Sequence, residues 1–104
     1  AIFSYNDEMA LAVMHWLRTT GVRVPEDVAV VGFDGIQETE AAGLTTLDTP
    51  MMEMGRLAAQ IIMDQLSGAS AGQKPCRVTL KGQLHVRTSC GGHLRPEKGY
   101  SSNP

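Results

Sequence analysis

The chain has 104 residues, of which 42% are apolar and 19% are charged, and this composition predicts a single folded domain rather than a disordered segment. Its net charge of -2 argues against a free-standing nucleic-acid binder, because such a protein needs a surplus of positive charge for phosphates. Two cysteines give no disulfide framework, and no apolar run approaches the ~20 residues that span a bilayer.

The first segment of the chain is short and apolar, and it predicts a strand over Ile2–Tyr5. The next segment predicts a helix over Asp7–Thr20, with Asn6 or Ser4 as its N-cap and Gly21 as its stop. Because the strand begins with no turn or cap before it, we expect the chain to be a piece of a larger protein.

The predicted helix is apolar nearly all round, since His15 is the one polar residue between Met9 and Leu17. A helix of this kind must be covered on two sides, and a sheet of the same domain would cover one of them. The second cover is either further chain or another subunit, unless the helix is sandwiched within one domain.

Two strands are predicted in the middle of the sequence. Val28–Phe33 is continuously apolar and rich in β-branched residues, as in a parallel strand buried on both faces. Asp34-Gly35 ends this strand, Ile36–Gly43 is predicted to be a loop, and Leu44–Leu47 is predicted to be another short strand.

A second long helix is predicted after these strands. Thr49 is its expected N-cap and Pro50 its first residue, because the fixed φ of proline suits that position. Apolar residues then recur at helical spacing until Gly68 closes the helix. They are Met51, Met54, Ala58, Ile61, Ile62 and Leu66.

The last third of the chain has a weaker pattern. Ser67–Pro75 is rich in small and polar residues and predicts a flexible connector. Apolar residues alternate over Val78–Val86 around Lys81-Gly82, which predicts a hairpin or a bent strand. Cys90–Pro104 is rich in Gly, Pro and Ser, and we expect it to be disordered.

The alternation of strands and helices predicts an α/β fold with an open, mostly parallel sheet flanked by helices. Ligands of such sheets bind at the carboxyl ends of the strands, where three turns carry short polar residues. These turns are Asn6-Asp7, Asp34-Gly35 and Asp48-Thr49. Asn6 can donate and accept hydrogen bonds, and an ionised Asp34 can accept them from vicinal hydroxyls or a ring N–H. Asp48 is expected to interact with the positive N-terminus of the next helix instead.

Apolar residues next to these turns could complete a ligand site. Phe33 could offer a ring face to a sugar or a base, and Met51 and Met54 could shape an apolar wall. Structural alternatives stay open for all of them: Asn6 could act only as a helix cap, Asp34 could only fix its turn, and the apolar residues could belong to the core.

Four motifs over about residues 1–90 carry a family resemblance in their order and spacing. They are SYNDEMALAVM, GVRVPEDVAVVGFD, LTTLDTPMMEMGRLA and LHVRTS. With these motifs the chain resembles the C-terminal part of the lactose-repressor/galactose-repressor (LacI/GalR) family of bacterial transcription regulators. Members of that family combine an N-terminal helix-turn-helix region with a two-lobed effector domain like that of periplasmic binding proteins.

The resemblance implies that residues 1–89 are a portion of the C-terminal lobe and that residues 90–104 are a flexible tail. The lobe would supply half of a site for a small effector, either a sugar or a nucleobase-like compound. The positions expected to contact or surround this effector are Asn6, Phe33, Asp34, Thr49, Met51 and Met54. The positions expected at a homodimer interface are Met9, Ala10, Val13, Met14 and Leu17.

The same resemblance implies a regulator of the bacterial cytoplasm that is not an enzyme, has no cofactor and does not contact a membrane. It would reach DNA only through an N-terminal domain that lies outside this sequence. Because half of the effector site would also lie outside it, we expect the chain alone to bind effector weakly or not at all.

Two other functional classes stay open. A periplasmic sugar-binding protein of a transporter would share the fold and carry a secretory leader. A Mg²⁺-dependent phosphoryl-transfer domain could use Asp34 with Asp7 or Asp48, but it would need a cation at the phosphate. No lysine precedes Lys74, and the sequence contains no glycine-rich phosphate loop, so an enzyme is disfavoured.

No metal site and no catalytic residue is predicted. Cys76, Cys90, His85 and His93 lack the paired spacing of a zinc site. Ser89 near a histidine is unconvincing as a nucleophile, because no third group is evident to orient a base.

Overall fold

The computed structural model describes residues 1–68 and 77–92. Within this part of the chain, two compact units can be told apart. The first, here called the sheet unit, contains Ala1–Asp48 and the described residues from Gln83 onward. The second, the helix unit, contains the described residues between Thr49 and Gly82.

The elements alternate along the chain much as the sequence predicts. In order they are β1 (Ile2–Phe3), α1 (Asp7–Thr19), β2 (Val30–Asp34), α2 (Glu38–Ala42), β3 (Thr45–Asp48), α3 (Met51–Leu66) and β4 (Gln83–His85), followed by a 3₁₀ turn at Thr88–Cys90. The predicted limits of β1, β2, β3 and the two long helices agree with these to within one or two residues. No described helix is long and apolar enough to cross a membrane.

One open sheet organises the sheet unit, with the strand order β1-β2-β3-β4. The first three strands run parallel, and β4 pairs antiparallel with β3. The prediction of an open, mostly parallel α/β sheet is therefore confirmed. In the register of β2 and β3, Asp34 lies beside Asp48, so both strands end at the same level.

The core lies between α1 and the sheet. Ala10, Met14 and Leu17 form one helical stripe of α1 and are buried together with Val30 and Leu44. Burial of a side chain of the size of Met or Leu contributes about 1.5–3 kcal/mol, so this stripe is the main apolar contribution of α1.

Close approach of α1 to β2 requires a glycine in the middle of the strand. A Cβ atom at Gly32 would overlap the carboxylate of Asp7 and would lie 3.0 Å from a methyl carbon of Leu44. The strand therefore leaves a space under the first turn of α1, and the Asp7 side chain occupies it.

Two segments differ from the prediction. The segment Ile36–Gly43 is not simply a loop, because it contains the five-residue helix α2, which is capped by Gly43 with a φ of +70°. Of the two alternatives for Val78–Val86, the hairpin is wrong, because the segment forms a single strand, β4, that pairs with β3. A helix of five residues is too short to show an apolar period, and alternation does not reveal which strand is the partner.

The helix unit contains α3 and the segment that precedes β4. Thr49 is not the N-cap, because α3 begins at Met51 and Pro50 occupies the cap position without a side-chain hydrogen bond. The apolar side of α3 faces a cavity of about 470 Å³. The lining residues of this cavity are Met54, Leu57, Ala58, Ile61, Arg77, Val78 and Leu80.

Two expectations lie wholly or partly outside the described residues. Most of the predicted connector falls in the undescribed range 69–76, and most of the predicted tail falls in 93–104. The first residue of the predicted tail, Cys90, is described, and it closes the 3₁₀ turn.

Candidate functional site

The ends of β1, β2 and β3 meet at one edge of the sheet, here called the carboxyl edge. Asn6 follows β1, Asp34 ends β2, and Asp48 ends β3 beside Asp34. The structure thus brings together the polar residues that the sequence places after each strand. Of the other predicted effector residues, Phe33 belongs to β2, whereas Thr49, Met51 and Met54 belong to the helix unit.

Asn6 is the N-cap of α1. Its backbone is extended, and its Oδ1 accepts a 2.8 Å hydrogen bond from the amide of Met9. The capping role proposed as a structural alternative is therefore real. The cap uses one lone pair of Oδ1 and does not involve the Nδ2 donor.

Asp34 has an unusual backbone conformation. Its φ is +118°, a region that costs a non-glycine residue about 1–3 kcal/mol. Gly35 follows with a φ of +83°, and a Cβ atom there would lie 2.6 Å from atoms of Asp48. The turn after β2 therefore packs closely against the end of β3. Asp34 lies in this turn at the carboxyl edge and is half-buried.

Phe33 lies one residue before this turn and is half-buried. Because side chains alternate along a strand, Phe33 points to the face opposite Gly32 and α1. The register pairs it with Leu47 on β3, so the two side chains share that opposite face.

The sequence does not reveal the role of Asp7. The sequence pattern marks it as a helix start and as a member of an alternative Mg²⁺ cluster, but its side chain is completely buried. Its Oδ2 accepts hydrogen bonds from the amides of Gly35, at 2.6 Å, and Ile36, at 3.0 Å. Its Oδ1 accepts one from the hydroxyl of Thr46, also at 2.6 Å. An acidic residue in a first helical turn is a common capping signal, and nothing in the sequence pattern marks its distant partners.

Asp48 contacts β4 at this edge. His85 Nε2 lies 3.4 Å from Asp48 Oδ2, and both side chains are partly exposed. Ion pairs with this degree of exposure contribute little to stability, so this contact is a local polar link between β3 and β4.

Two exposed ion pairs account for the shifted pKa values. The hydrogen bonds from Arg23 lower the pKa of Asp27 from 3.8 to about 2, with an N–O distance of 2.6 Å. In α3, the hydrogen bond from Arg56 lowers the pKa of Glu53. Arg23 and Asp27 lie between α1 and the start of β2, whereas Asp34 lies at the end of that strand.

The candidate residues of the alternative chemistries lie in the sheet unit or outside the described residues. No group of three or more His, Cys, Asp or Glu side chains is arranged to hold a metal ion, within residues 1–68 and 77–92. Ser89 is buried and donates its hydroxyl to the carbonyl of Val30, while the amide of Thr45 donates to the same hydroxyl. Cys76 and His93 lie outside the described residues.

The predicted dimer residues of α1 divide into two groups. Ala10, Met14 and Leu17 are buried against the sheet of the same chain, so the expectation that they face a second subunit is wrong. Met9 is 53% exposed and Val13 is partly buried at the margin of the core, so these two remain candidates.

Comparison with known proteins gives consistent matches. Residues 1–90 match the family model described as a periplasmic binding protein-like domain. The HTH-type transcriptional repressor MelR of Bacillus subtilis (strain 168) is 41% identical over 93 residues, which cover 88% of this chain and 26% of the repressor.

Solved structures show the same likeness. A LacI family transcriptional regulator from Arthrobacter sp. FB24, in complex with lactose, is 41% identical with a TM-score of 0.71, and the match covers 86% of this chain and 34% of that one. A complex of the transcriptional regulator CelR with cellobiose is 39% identical with a TM-score of 0.75, and the match covers 84% and 27%. The chain thus spans between 26% and 34% of the length of these three relatives.

Proposed function

Since the chain belongs to the periplasmic-binding-protein-like domain family, in the form that LacI-family regulators carry, we propose that it supplies one side of the effector site of such a regulator. The observation that carries this proposal is the convergence of Asn6 and Asp34 at the carboxyl edge. This is the edge where ligands of open α/β sheets bind. The chain would act as a sensor rather than an enzyme, without a cofactor, in the bacterial cytoplasm.

A sugar is the effector class that the edge fits best. The carboxylate of Asp34 can accept two hydrogen bonds from neighbouring hydroxyls, and the amide of Asn6 can donate one to a hydroxyl or ring oxygen. Relatives solved with lactose and cellobiose support a carbohydrate over a nucleobase-like compound. Thr49, Met51 and Met54 stay predictions as further effector positions.

In the intact regulator, effector binding would shift the population between two arrangements of its lobes and subunits. DNA would be bound by a helix-turn-helix domain that lies outside this chain. Dimerisation would use the exposed side of α1, where Met9 and Val13 are joined by Trp16, which is 63% exposed.

The test is a titration of the ¹⁵N-labelled regulator with lactose and with cellobiose, followed by amide chemical shifts. We expect saturable shifts at Asn6, Asp34 and Gly35, and no shift at Ser89, which serves as the internal control in the same domain. Shifts that gather around Ser89 and spare the carboxyl edge would contradict the proposed site.

A further inference from the structure

We propose that Asp7 is a positioning residue of the carboxyl edge, whose buried carboxylate holds the turn after β2 in the conformation that presents Asp34 to the effector. The inference deepens the proposed function and rests on Asp34 being an effector contact. Asp7 itself would not touch the effector, because its side chain has no exposed surface.

The carboxylate of Asp7 accepts two backbone hydrogen bonds from the turn. A single oxygen, Oδ2, accepts hydrogen bonds from the backbone amides of both Gly35 and Ile36, at 2.6 and 3.0 Å. Hydrogen bonds from backbone amides to a charged carboxylate are about twice as strong as those between neutral groups. These two amides belong to the residues directly after Asp34, so the contact acts on the backbone that sets its direction.

The turn needs such a restraint because its conformation is unfavourable. Asp34 has a φ of +118°, which persists in proteins only where surrounding structure imposes it. Gly35 lies against Asp48, which blocks the turn from one side. Asp7 fixes it from the other side, so the turn is held between β3 and the first turn of α1.

Asp7 is itself held in place from three directions. It is the first residue of α1, directly after the N-cap Asn6. The hydroxyl of Thr46 donates to its Oδ1 at 2.6 Å, and Gly32 leaves the space that its carboxylate occupies. A shift of α1 would therefore move Asn6 and the turn that carries Asp34 together.

The opposing interpretation is that Asp7 only stabilises the fold, as any buried hydrogen-bonded carboxylate does. Asp7→Asn and Thr46→Val separate the two. Both change hydrogen bonds of the same buried carboxylate, but D7N weakens the bonds to Gly35 and Ile36, whereas T46V removes only the bond from β3. An Asn also keeps the volume of Asp and an oxygen acceptor, so D7N is the variant that preserves packing.

The first measurement is hydrogen exchange of the Gly35 and Ile36 amides in the chain itself, without any effector. In the wild type we expect both to exchange at least about tenfold more slowly than in an unfolded peptide, since their acceptor is a buried carboxylate. D7N should accelerate both by about tenfold relative to amides in the middle of α1. Unprotected amides in the wild type would overturn the proposal even if D7N did not fold, and so would equal exchange in a folded D7N.

The second measurement is the affinity of the intact regulator for lactose or cellobiose by calorimetry, with T46V as the matched destabilised control. D7N should raise the Kd by about tenfold, and T46V should leave it nearly unchanged at a similar loss of stability. If both variants weaken binding in proportion to lost stability, Asp7 is structural and the proposal is wrong. If Asp34→Ala leaves binding unchanged, the effector role of Asp34 fails instead, while hydrogen exchange still decides whether Asp7 holds the turn.

Discussion

Both ends of the sheet contain buried hydrogen-bond networks, but the two networks differ in the backbone conformation that they hold. At the carboxyl edge, Asp7 holds a turn in which Asp34 has an unfavourable backbone. At the other end, Ser89 bridges the carbonyl of Val30 and the amide of Thr45, with donor–acceptor distances of 2.6 and 2.8 Å. Both ends therefore bury polar groups, and at the carboxyl edge, where we propose that the effector binds, this burial accompanies an unfavourable backbone conformation.

Arg87 extends the network at the amino end. Its guanidinium donates to the hydroxyl of Thr39 and to the carbonyl of Leu44, at 3.1 and 2.8 Å. Its backbone amide donates to the hydroxyl of Thr45. Together with the bonds of Ser89, they tie the segment after β4 to the starts of β2 and β3, so hydrogen bonds close this end of the sheet.

The largest change in the free energy of unfolding is expected at the amino end of the sheet. Ser89→Ala leaves the amide of Thr45 buried without its acceptor, which should lower the free energy of unfolding by about 1–3 kcal/mol. The matched control is Thr88→Ala, because the hydroxyl of Thr88 is exposed and donates to Gly43 at 3.2 Å. Denaturant unfolding that finds S89A no less stable than T88A would show that the closure contributes nothing.

A smaller difference in stability is expected at the carboxyl edge, between two substitutions of Asp34. Asp34→Gly and Asp34→Ala remove the same side-chain contacts, but only glycine adopts a φ of +118° without strain. D34G should therefore be more stable than D34A by about 1 kcal/mol, after allowing for the greater freedom of glycine in the unfolded chain. Equal midpoints in denaturant unfolding would mean that the turn is not strained.

The smallest effect is expected away from both ends, at the exposed ion pair of Arg23 and Asp27. Because Arg23 lowers the pKa of Asp27 from 3.8 to about 2, the pair stabilises the fold above the unfolded pKa. That contribution should fade as the pH falls through about 2. The difference in unfolding midpoint between wild type and Asp27→Asn should be slight at pH 7 and absent at the lowest pH. A difference that grows on acidification would contradict this assignment.

The pattern of apolar residues predicted the strands and helices that are long enough to show it. The continuous apolar run ending at Phe33 predicted a buried parallel strand, and the apolar spacing after Pro50 predicted α3. It missed α2, whose five residues are too few for a period. It also assigned too many residues of α1 to the dimer interface, because Ala10, Met14 and Leu17 pack in the core of their own chain.

The polar residues of the site were predictable only in part. Asn6 and Asp34 follow strands directly, so a rule on strand ends finds them. Asp7 is found only from the fold, because its partners Gly35 and Thr46 lie far along the sequence and carry no chemical signal of the contact. The same limit applies to Ser89, which closes the sheet through backbone groups.

The carboxyl edge is tested most directly by titrating the intact regulator with lactose and cellobiose in two variants side by side, D34G and S89A. We expect D34G to fold at least as well as D34A but to lose effector affinity by about tenfold or more, whereas S89A should be less stable and keep its affinity at temperatures where it is folded. Retained affinity in D34G, or an equal loss in S89A, would contradict the assignment of the carboxyl edge as the effector site.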